Sequence, residues 1–552
     1  MKNKKVRIAV QIIVDVIAAF LLFWFTLPPL NPRSQDFWGF VLTLAIICLI
    51  VFAVFHIGKL RGREFTVSDF RADRLKRLGK KGKIIFGCVV GVVALFLVAY
   101  LSGAEIFNAS RYSELLPLED GNFSQDVAEL SMSQIPVVDR DTASRLGQRK
   151  LGEISELVSQ FEIEEDYTQI NYQGRPVRVT PLAYGDLIKW FGNQSNGIPA
   201  YITVDMTTQE TQLVRLDEGI KYSRSEYFLR NLNRYLRFCY PTKIFEAVTF
   251  EIDENGTPYW IASVIDYKIG FWGGADICGA VLLNAQTGES TYYEVEDVPT
   301  WVDTVYSANM LINQLTYNGK YRSGFFNSIF GQKGVLRPTE GYNYIAIDDD
   351  VWLYTGMTSV TSDQSNVGFV LINMRTKEAR YYVMSGAEEY SAMESAQGAV
   401  QEKKYTATFP ILLNIAERPT YFMSLKDGAG LVKMYAFVDM EQYQIVGTGN
   451  TVDEARQNYV NNLMDAGVQV DEAPEEDLQE TTVSGVVAQV SSAVVDGNTK
   501  YYVMLQGDST VYVLPVEMSS LLPFVKAGDT LSMVFAGEEE SAQLRSVEVV
   551  LG

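Results

Sequence analysis

Histidine is almost absent from this 552-residue chain, which contains only His56. Sites of the Ser-His-Asp and Cys-His types, and zinc sites that include histidine, need an imidazole. His56 lies at the end of a long apolar run near the N-terminus, so it is not available to the rest of the chain. The composition therefore excludes these sites from everything after residue 103, which we call the exterior.

Cysteine is also scarce, with four residues in the chain. Cys48 and Cys88 fall inside apolar runs, which leaves Cys239 and Cys278 as the pair that a disulfide could join. A disulfide is permitted outside the cytoplasm, but pairing cannot be read from sequence alone. Both a disulfide and two free buried thiols stay open, and we expect the free thiols.

Acidic residues outnumber basic ones by 67 to 47, and the net charge is −20. Residues 1–83 contain 15 Lys and Arg against 5 Asp and Glu, a surplus of ten positive charges, so residues 84–552 carry −30. A surface that binds nucleic acid needs clustered Lys and Arg against the phosphates. We therefore expect no nucleic-acid partner for the exterior.

Three apolar runs, at residues 8–30, 37–58 and 84–102, predict a membrane anchor over 1–103, with lipid as a partner. The last run includes 18 uncharged residues, which as a helix span roughly 27 Å. The first run is longer than the apolar core of a signal peptide and lacks a small-residue cleavage site, so we expect it to be retained.

The loop at residues 59–83 carries ten basic and three acidic residues. Short loops rich in Lys and Arg stay in the cytoplasm. The sequence therefore predicts a multi-pass protein of the cell membrane, with the N-terminus inside and the large C-terminal part outside.

Three residues inside the spans are candidates for a further role. Asp15 is an acid about one third of the way along the first span, where a carboxylate is costly and marks either a functional partner or closeness to the cytoplasmic interface. The second explanation is the simpler one. Gly87 and Gly91 have the small-xxx-small spacing that lets helices approach closely, which predicts packing within the anchor or a homo-oligomer.

The most specific pattern is Asp/Asn-x-x-Thr-x-Glu, which occurs three times, each time between two strand-like runs. An Asx side chain accepts a hydrogen bond from a backbone N–H two residues on, and Thr does the same more weakly. The pattern therefore predicts hairpin turns rather than ligand-binding carboxylates. The residues are Asp205, Thr208 and Glu210, then Asn284, Thr287 and Glu289, then Asn373, Thr376 and Glu378.

A helix candidate follows each hairpin, and a degenerate fourth hairpin ends near Val438 and Asp439. The exterior thus reads as a helix followed by an antiparallel sheet, used four times. We place these modules at residues 104–220, 221–300, 301–384 and 385–468. An acidic linker at 469–481 leads to five short strand candidates with one short helix over 482–552, which predict an OB-like small β-barrel.

The helix-then-sheet order and the runs GAVLLNAQTGESTYYEV and GFVLINMRTKEARYYVM resemble PepSY-type domains, small α+β modules of bacterial cell exteriors. The second copy matches best through Thr287-Gly288-Glu289, whereas Gln209 and Lys377 replace the glycine in the other two. Stretches such as IPVVDRDTASRLGQRKLGEI and DVPTWVD resemble an uncharacterised family of mostly Gram-positive three-span membrane proteins. The resemblance implies regulatory or inhibitory modules near peptidases and the cell wall.

The predicted fold class is α+β, with a three-helix transmembrane anchor, tandem PepSY-like modules and an OB-like barrel. No catalytic motif, cofactor site or metal site stands out. We expect a non-catalytic scaffold or regulatory binding protein of the bacterial envelope, shaped as a rod or scaffold, that binds a cell-wall polymer or an envelope protein. The alternative is an envelope hydrolase, a peptidase or glycan-cleaving enzyme, that uses carboxylates or a Ser-Lys pair.

Overall fold

Three long apolar helices begin the chain, α1 (Lys4–Thr26), α2 (Gln35–Leu60) and α3 (Lys80–Ser102). The stretches long and apolar enough to cross a membrane are Val6–Thr26 in α1, Gln35–Phe55 in α2, and Val90–Ser113, which begins in α3 and runs past its end. The chain leaves helical geometry after α1 at Pro28 and Pro29, since proline lacks the N–H that a helix needs. The three predicted spans are confirmed as apolar helices.

The computed structural model describes residues 4–60, 80–129, 135–347, 349–360, 365–468, 480–495, 498–536 and 543–550. The chain divides into an N-terminal unit, Met1–Val468, and a C-terminal unit, Gln469–Gly552. Most of the predicted basic loop and of the predicted acidic linker lies outside the described residues.

The other helices are short. They are α4 (Glu105–Ser113), α5 (Phe123–Asp126), α6 (Arg140–Gly152), α7 (Ser155–Val158), α8 (Leu187–Asn193), α9 (Leu232–Cys239), α10 (Ala308–Tyr321), α11 (Glu389–Ala399) and α12 (Val452–Asp465). Single 3-10 turns occur at Phe228–Arg230, Val295–Asp297, Gln401–Lys403, Val516–Met518 and Leu522–Phe524, and a π-helical turn occurs at Asn327–Gly331.

Four sheets follow one another in the N-terminal unit, and we call each sheet with its preceding helix (α6, α9, α10 or α11) a module. A two-residue strand, β1 (Glu119–Asp120), precedes them and pairs in parallel with the last strand of module 3. Module 1 has β2 (Phe161–Ile163), β3 (Thr168–Tyr172), β4 (Arg175–Tyr184), β5 (Ile198–Asp205) and β6 (Thr211–Ile220). Module 2 has β7 (Ile244–Ile252), β8 (Pro258–Ile269), β9 (Gly273–Asn284) and β10 (Ser290–Glu294). Module 3 has β11 (Leu336–Pro338), β12 (Asn343–Ile347), β13 (Asp350–Ser359), β14 (Ser365–Asn373) and β15 (Ala379–Ala387). Module 4 has β16 (Thr406–Ala407), β17 (Ile411–Ile415), β18 (Arg418–Lys426), β19 (Val432–Asp439) and β20 (Val446–Gly449).

All four sheets have the same strand order, an antiparallel meander. In modules 1, 3 and 4 the first strand is split into two short strands that both pair with the next long strand. In module 2 the corresponding strand β7 is continuous but has a bulge between Phe245 and Val248. The modules therefore share a distortion as well as an order, which supports a repeated structure.

Each module is closed by a backbone hydrogen bond between its two ends. The lead-in segment, the stretch of chain just before the module's helix, donates an N–H to a carbonyl in the turn between the last two strands of the sheet, that of the residue directly after the penultimate strand. This bond holds the start of the helix against the end of the sheet. The pairs are Val137 with Met206 (2.7 Å), Tyr222 with Ala285 (3.0 Å), Tyr306 with Met374 (2.8 Å) and Ala387 with Met440 (2.8 Å).

Two helices begin later than their sequence suggests, because acids ahead of them are buried elsewhere. The pattern favours helix from residue 225, but α9 begins at Leu232 after Glu226 has turned into the protein. It also favours helix from residue 303, but α10 begins at Ala308, where the Ser307 hydroxyl caps the helix. Helical periodicity alone does not reveal that these acids are used in packing.

Module 4 packs back on the lead-in segment of module 1. Lys426 forms an ion pair with Asp139 (2.5 Å), and the Ser424 hydroxyl donates to the Val137 carbonyl (2.8 Å). Asn414 of module 4 also donates to a carbonyl that precedes module 1 (2.8 Å). Polar contacts therefore join the fourth module to the segment that precedes the first.

Module 2 is fastened to the anchor. The connection between α1 and α2 and the end of α3 all contact this module, so the opposite ends of α2 and α3, at Leu60 and Lys80, point away from it. The contacts are Arg237 Nε to the Leu27 carbonyl (3.0 Å), Leu30 N to the Pro241 carbonyl (2.6 Å), Arg33 to Asp266 (2.7 Å) and the Phe96 ring stacked on Trp272 (5.6 Å between centroids).

The exterior cysteines are both free. Cys278 is partly buried, whereas Cys239 is exposed at the end of α9. The expectation of free thiols agrees with the structure, but the expectation that both are buried is wrong for Cys239, because it lies on the outer side of its helix.

The C-terminal unit is one five-stranded sheet in the order β23-β22-β21-β24-β25. Within its described residues the sheet is not closed into a barrel. Its core is apolar and includes Val487, Val503, Leu514 and Leu531. The strands are β21 (Glu480–Val495), β22 (Asn498–Leu505), β23 (Tyr512–Pro515), β24 (Thr530–Ala536) and β25 (Gln543–Val550).

Replacement of Lys426 by methionine tests the contact between modules 4 and 1. Burial alone would raise the pKa of Asp139, but hydrogen bonds from Lys426 and Thr142 hold it below its usual value. A group with a lowered pKa stabilises the fold above its unfolded pKa, and this contribution is lost as the pH falls. We expect Lys426→Met to lower the free energy of unfolding by about 1–3 kcal/mol at pH 7 and by less at pH 3.

The measurement is thermal unfolding of the full-length protein in nanodiscs, followed by circular dichroism. Lys404→Met, at an exposed position of the same module, is the matched control. Equal effects of the two substitutions at pH 7 would contradict a structural role for the ion pair.

Candidate functional site

The three Asp/Asn-x-x-Thr-x-Glu sequences lie in hairpin turns of modules 1, 2 and 3. In the first, Asp205 Oδ1 accepts from the N–H groups of Thr207 (2.8 Å) and Thr208 (2.9 Å), and the Thr208 hydroxyl accepts from Glu210 N (3.2 Å). The Asn284–Thr287–Glu289 and Asn373–Thr376–Glu378 turns repeat these bonds within 0.2 Å. The Asx and Thr side chains are thus used to hold the backbone of each turn.

The fifth residue of each turn explains the variation in the pattern. Gln209, Gly288 and Lys377 all have positive φ, at 65°, 80° and 69°. A Cβ on Gly288 would overlap the ring of Tyr222, so glycine is favoured there by the lack of space, and its positive φ is free of strain. The other two turns carry a side chain in the left-handed region, which costs about 1–2 kcal/mol.

The carboxylates of these turns do not gather into one site. Among the described residues, no three His, Cys, Asp or Glu side chains are placed to hold a metal ion. The third turn does reach a cavity, because Met374, which follows Asn373, lines it.

The candidate residues of the anchor lie apart from this cavity. Asp15 interacts with the thiol of Cys48 on α2, and its Oδ1 is a buried atom without a hydrogen bond. No described atom lies within 4 Å of the Cβ position of Gly91, so this face of α3 is open. For Gly87 the structure gives the helical backbone only, and the homo-oligomer stays a prediction.

A cavity of 430 Å³ opens where modules 1, 2 and 3 meet. Module 1 contributes β3 and the loop before it, module 2 contributes β7 and Trp260, and module 3 contributes Tyr344 and Val351. Its lining combines aromatic side chains such as Trp260 and Tyr344 with many charged and polar ones, and its volume is that of a small-ligand site.

Two acids and two arginines surround the mouth of this cavity. Arg224 lies 2.5 Å from Asp166 and 3.6 Å from Glu164, and Arg140 pairs with the other oxygen of Asp166 (2.9 Å). Asp166 therefore pairs closely with both arginines, and Glu164 has only a longer contact with Arg224. Burial raises the pKa of Glu164 to about 7, the nearby Arg224 opposes this rise, and Asp166 adds to it.

A pair of buried acids lies behind the cavity wall. Glu251 accepts from the N–H groups of Asp303 (2.9 Å) and Thr304 (3.0 Å), and Asp303 Oδ2 accepts from Asn171 N (2.8 Å). Both side chains are almost completely buried. Burial raises the pKa of Glu251 to about 7, and burial together with the charge of Glu251 raises that of Asp303 well above its usual range.

Asp303 is one of three acids, each just before or at the start of a module's helix, that accept hydrogen bonds from an earlier module. Glu226, ahead of module 2, accepts from Tyr184 (3.0 Å) and Trp190 (2.7 Å) of module 1. Glu389, at the start of module 4, accepts from Tyr354 (2.9 Å) and other donors of module 3. Sequence reasoning missed these acids and Glu164. Their available signal was an acid 16 to 21 residues after each turn Asp or Asn.

No family model and no curated protein sequence matches the chain. Among solved structures, the chain is similar to the crystal structure of an ACO/RPE65 chimera, at 9% sequence identity and a TM-score of 0.14. The match covers 66% of this chain and 64% of that one, so the chain spans less than two thirds of its length. A TM-score this low assigns neither a fold nor an activity.

The need for glycine at position 288 can be tested by comparing alanine substitutions there and at the equivalent position 209. We expect Gly288→Ala to lower the free energy of unfolding by about 2 kcal/mol, because a left-handed alanine is strained and its Cβ meets Tyr222. Position 209 already carries a Cβ in the same left-handed conformation. We therefore expect Gln209→Ala to change the free energy of unfolding by about 0.5 kcal/mol or less. Thermal unfolding of both full-length variants checks the difference, and equal losses would argue against equivalent turns.

The buried acid pair makes stability depend on pH. Both acids have raised pKa values in the folded state, so the folded protein retains protons that the unfolded chain releases. Stability is then greatest at acidic pH and is lost as the pH rises toward 7, by about 1.4 kcal/mol per pH unit for one proton.

Asp303→Asn keeps the acceptor for Asn171 N and removes the like charge beside Glu251. We expect this variant to lose less than half as much stability as the parent between pH 5 and pH 7, as measured by thermal unfolding. Glu289→Gln, at an exposed acid, is the control. A stability that rises with pH over this range in the parent would show that the pair is not protonated as inferred.

Proposed function

We propose that this protein is a membrane-anchored, non-catalytic binding protein of the bacterial cell envelope. The basic loop between the second and third apolar helices supports a cytoplasmic N-terminus, and the contacts of module 2 with the other ends of these helices support an exterior on the far side. The shared helix-and-sheet order supports PepSY-like modules. In the C-terminal unit, β21 pairs with both β22 and β24, as in an OB-like fold.

The ligand site of this proposal is the cavity between modules 1, 2 and 3. The observation that carries it is Glu164, a largely buried carboxyl group at the cavity whose nearest cation is already paired with Asp166. Such a group gains from a ligand amine, which supplies the missing positive charge. Tyr344, which is partly exposed in the cavity wall, offers apolar surface to the rest of the ligand. The favoured ligand is therefore a peptide with a free amine, from a cell-wall polymer or an envelope protein.

An envelope hydrolase is the alternative, and the Glu251–Asp303 pair is the observation that favours it. Two carboxyl groups that share protons are a common acid–base arrangement. These two are buried to about 1% exposure or less, and both accept backbone N–H groups. Their hydrogen bonds support a structural role, so we favour binding.

Photocrosslinking in growing cells tests the proposal. A benzophenone amino acid replaces Asn309, an exposed residue at the cavity, in the full-length protein. We expect an adduct with wall peptide or an envelope protein that becomes several-fold weaker in a Glu164→Gln background, because the amide keeps the shape and removes the charge. Asn461, exposed on α12, is the control position.

Equal adducts at positions 309 and 461 would reject the cavity as the ligand site. A separate assay follows the release of fragments from peptidoglycan or peptides by the purified protein in nanodiscs. Release that is lost in Asp303→Asn would replace the binding proposal by the hydrolase.

A further inference from the structure

Large apolar side chains are exposed in a first patch on modules 1 and 2. We define patch A as Leu187, Ile188 and Phe191 of α8 with Phe228 and Leu229 of the lead-in segment before α9. Ile188 and Phe191 are 79% and 74% exposed. The ring of the buried Trp190 lies between the two parts of the patch, 5.9 Å from Phe228.

A second patch lies on α4 and the π-helical turn of module 3. We define patch B as Ile106, Phe107, Phe326, Ile329 and Phe330. Phe330 is 81% exposed and Phe107 is 71% exposed. Water-soluble proteins rarely expose clustered aromatic and aliphatic side chains in this way, so both patches are expected to be covered by a membrane or by another protein surface.

Patch A adjoins the end of the first apolar helix. The Arg234 guanidinium lies over the ring of Trp24 (4.3 Å) and donates to the Phe228 carbonyl (2.7 Å). The Phe238 ring is 5.9 Å from Trp24. Trp24 is in the last turn of α1, where a membrane helix reaches the headgroups.

Patch B adjoins the end of the third apolar helix. Phe107 lies five residues after Ser102, the last residue of α3. The Tyr321 hydroxyl donates to Glu105 at the start of α4, and the Tyr321 ring stacks on Phe325 (6.0 Å) beside Phe326. The two parts of patch B are therefore connected through the start of α4.

We propose that patches A and B are inserted into the interface of the same bilayer that α1, α2 and α3 cross. The argument is continuity, because the apolar surface of each patch joins the exposed apolar surface of a spanning helix near its end. Trp38 of α2, which contacts Phe96 of α3 (4.8 Å), and Trp272 of the turn between β8 and β9, which stacks on Phe96, mark this level, as expected of an aromatic belt.

Basic side chains close to both patches favour anionic lipid. Lys189 and Arg230 neighbour patch A in sequence, and Lys320 and Lys333 neighbour patch B. Aromatic side chains in the acyl boundary with Lys and Arg near the headgroups are the arrangement of interfacial membrane proteins. The exterior is thus held against the membrane surface at two places besides the covalent links to the anchor.

Spin-label accessibility measures this insertion directly. Single cysteines replace Phe191, Phe228, Phe330 or the control Tyr443 in a full-length protein whose native cysteines are changed to alanine. Tyr443 is an exposed aromatic residue of module 4. The labelled proteins are placed in nanodiscs of phosphatidylethanolamine and phosphatidylglycerol. Relaxation by oxygen, which enters lipid, is compared with relaxation by a water-soluble nickel complex.

We expect the ratio of oxygen to nickel accessibility to be several-fold higher at positions 191, 228 and 330 than at 443. Phe228→Ser should lower the ratio of a label at 191, since it removes part of patch A without moving the label. Ratios equal to that at 443 would overturn the proposal. So would spin–spin broadening that disappears when unlabelled protein is added, because it would show that a second copy covers the patches. High ratios at 191 and 228 alone would overturn the two-patch form.

Discussion

The hydrogen bond between each lead-in segment and a carbonyl in the last hairpin turn of its module is the constraint on which the N-terminal unit depends. A meander of a few strands is marginal in water until something covers one face. The bond fixes the start of a helix at the end of the sheet that this helix precedes. The lead-in segments also hold Glu226 and Asp303, and α11 begins with Glu389; each of these acids accepts a hydrogen bond from an earlier module. Closure within a module thereby sets the contacts between modules.

Local chemistry determined what the sequence could reveal. The Asx and Thr acceptors of each turn lie two or three residues from their donors, so the pattern itself contains the geometry. The apolar helices follow from length and composition in the same way. Gln209 and Lys377 look in the sequence like weaker matches to a glycine pattern, yet they occupy the same left-handed position as Gly288. The glycine is needed in the second turn because the ring of Tyr222 leaves no room for a side chain there.

Contacts between distant parts of the chain were hidden from the sequence. The acids of the lead-in segments look like ordinary surface residues, and nothing local distinguishes Asp303 from the exposed acids around it. The cavity needs three modules, so no single stretch predicts it. The return of module 4 to module 1 rests on the pairing of Lys426 with Asp139, which are 287 residues apart. A repeated pattern shows that modules exist but not whether they form a line or close on themselves.

Module 2 is the element that the cavity and the anchor share. Thr249 and Phe250 of β7 line the cavity, and the carbonyl of Lys243, just before β7, accepts from Arg237 (2.6 Å). Arg237 also binds the Leu27 carbonyl beyond the end of α1. One strand therefore connects the cavity wall to the contacts with the end of the first apolar helix.

The return of module 4 to module 1 has a consequence for synthesis. A chain that is made from its N-terminus presents Asp139 and the Val137 carbonyl long before Lys426 and Ser424 arrive. Contacts of such high sequence separation slow folding and leave early segments open to aggregation. The segment ahead of the first module thus lacks these contacts until the fourth module has been made. A chain truncated before residue 424 never forms them.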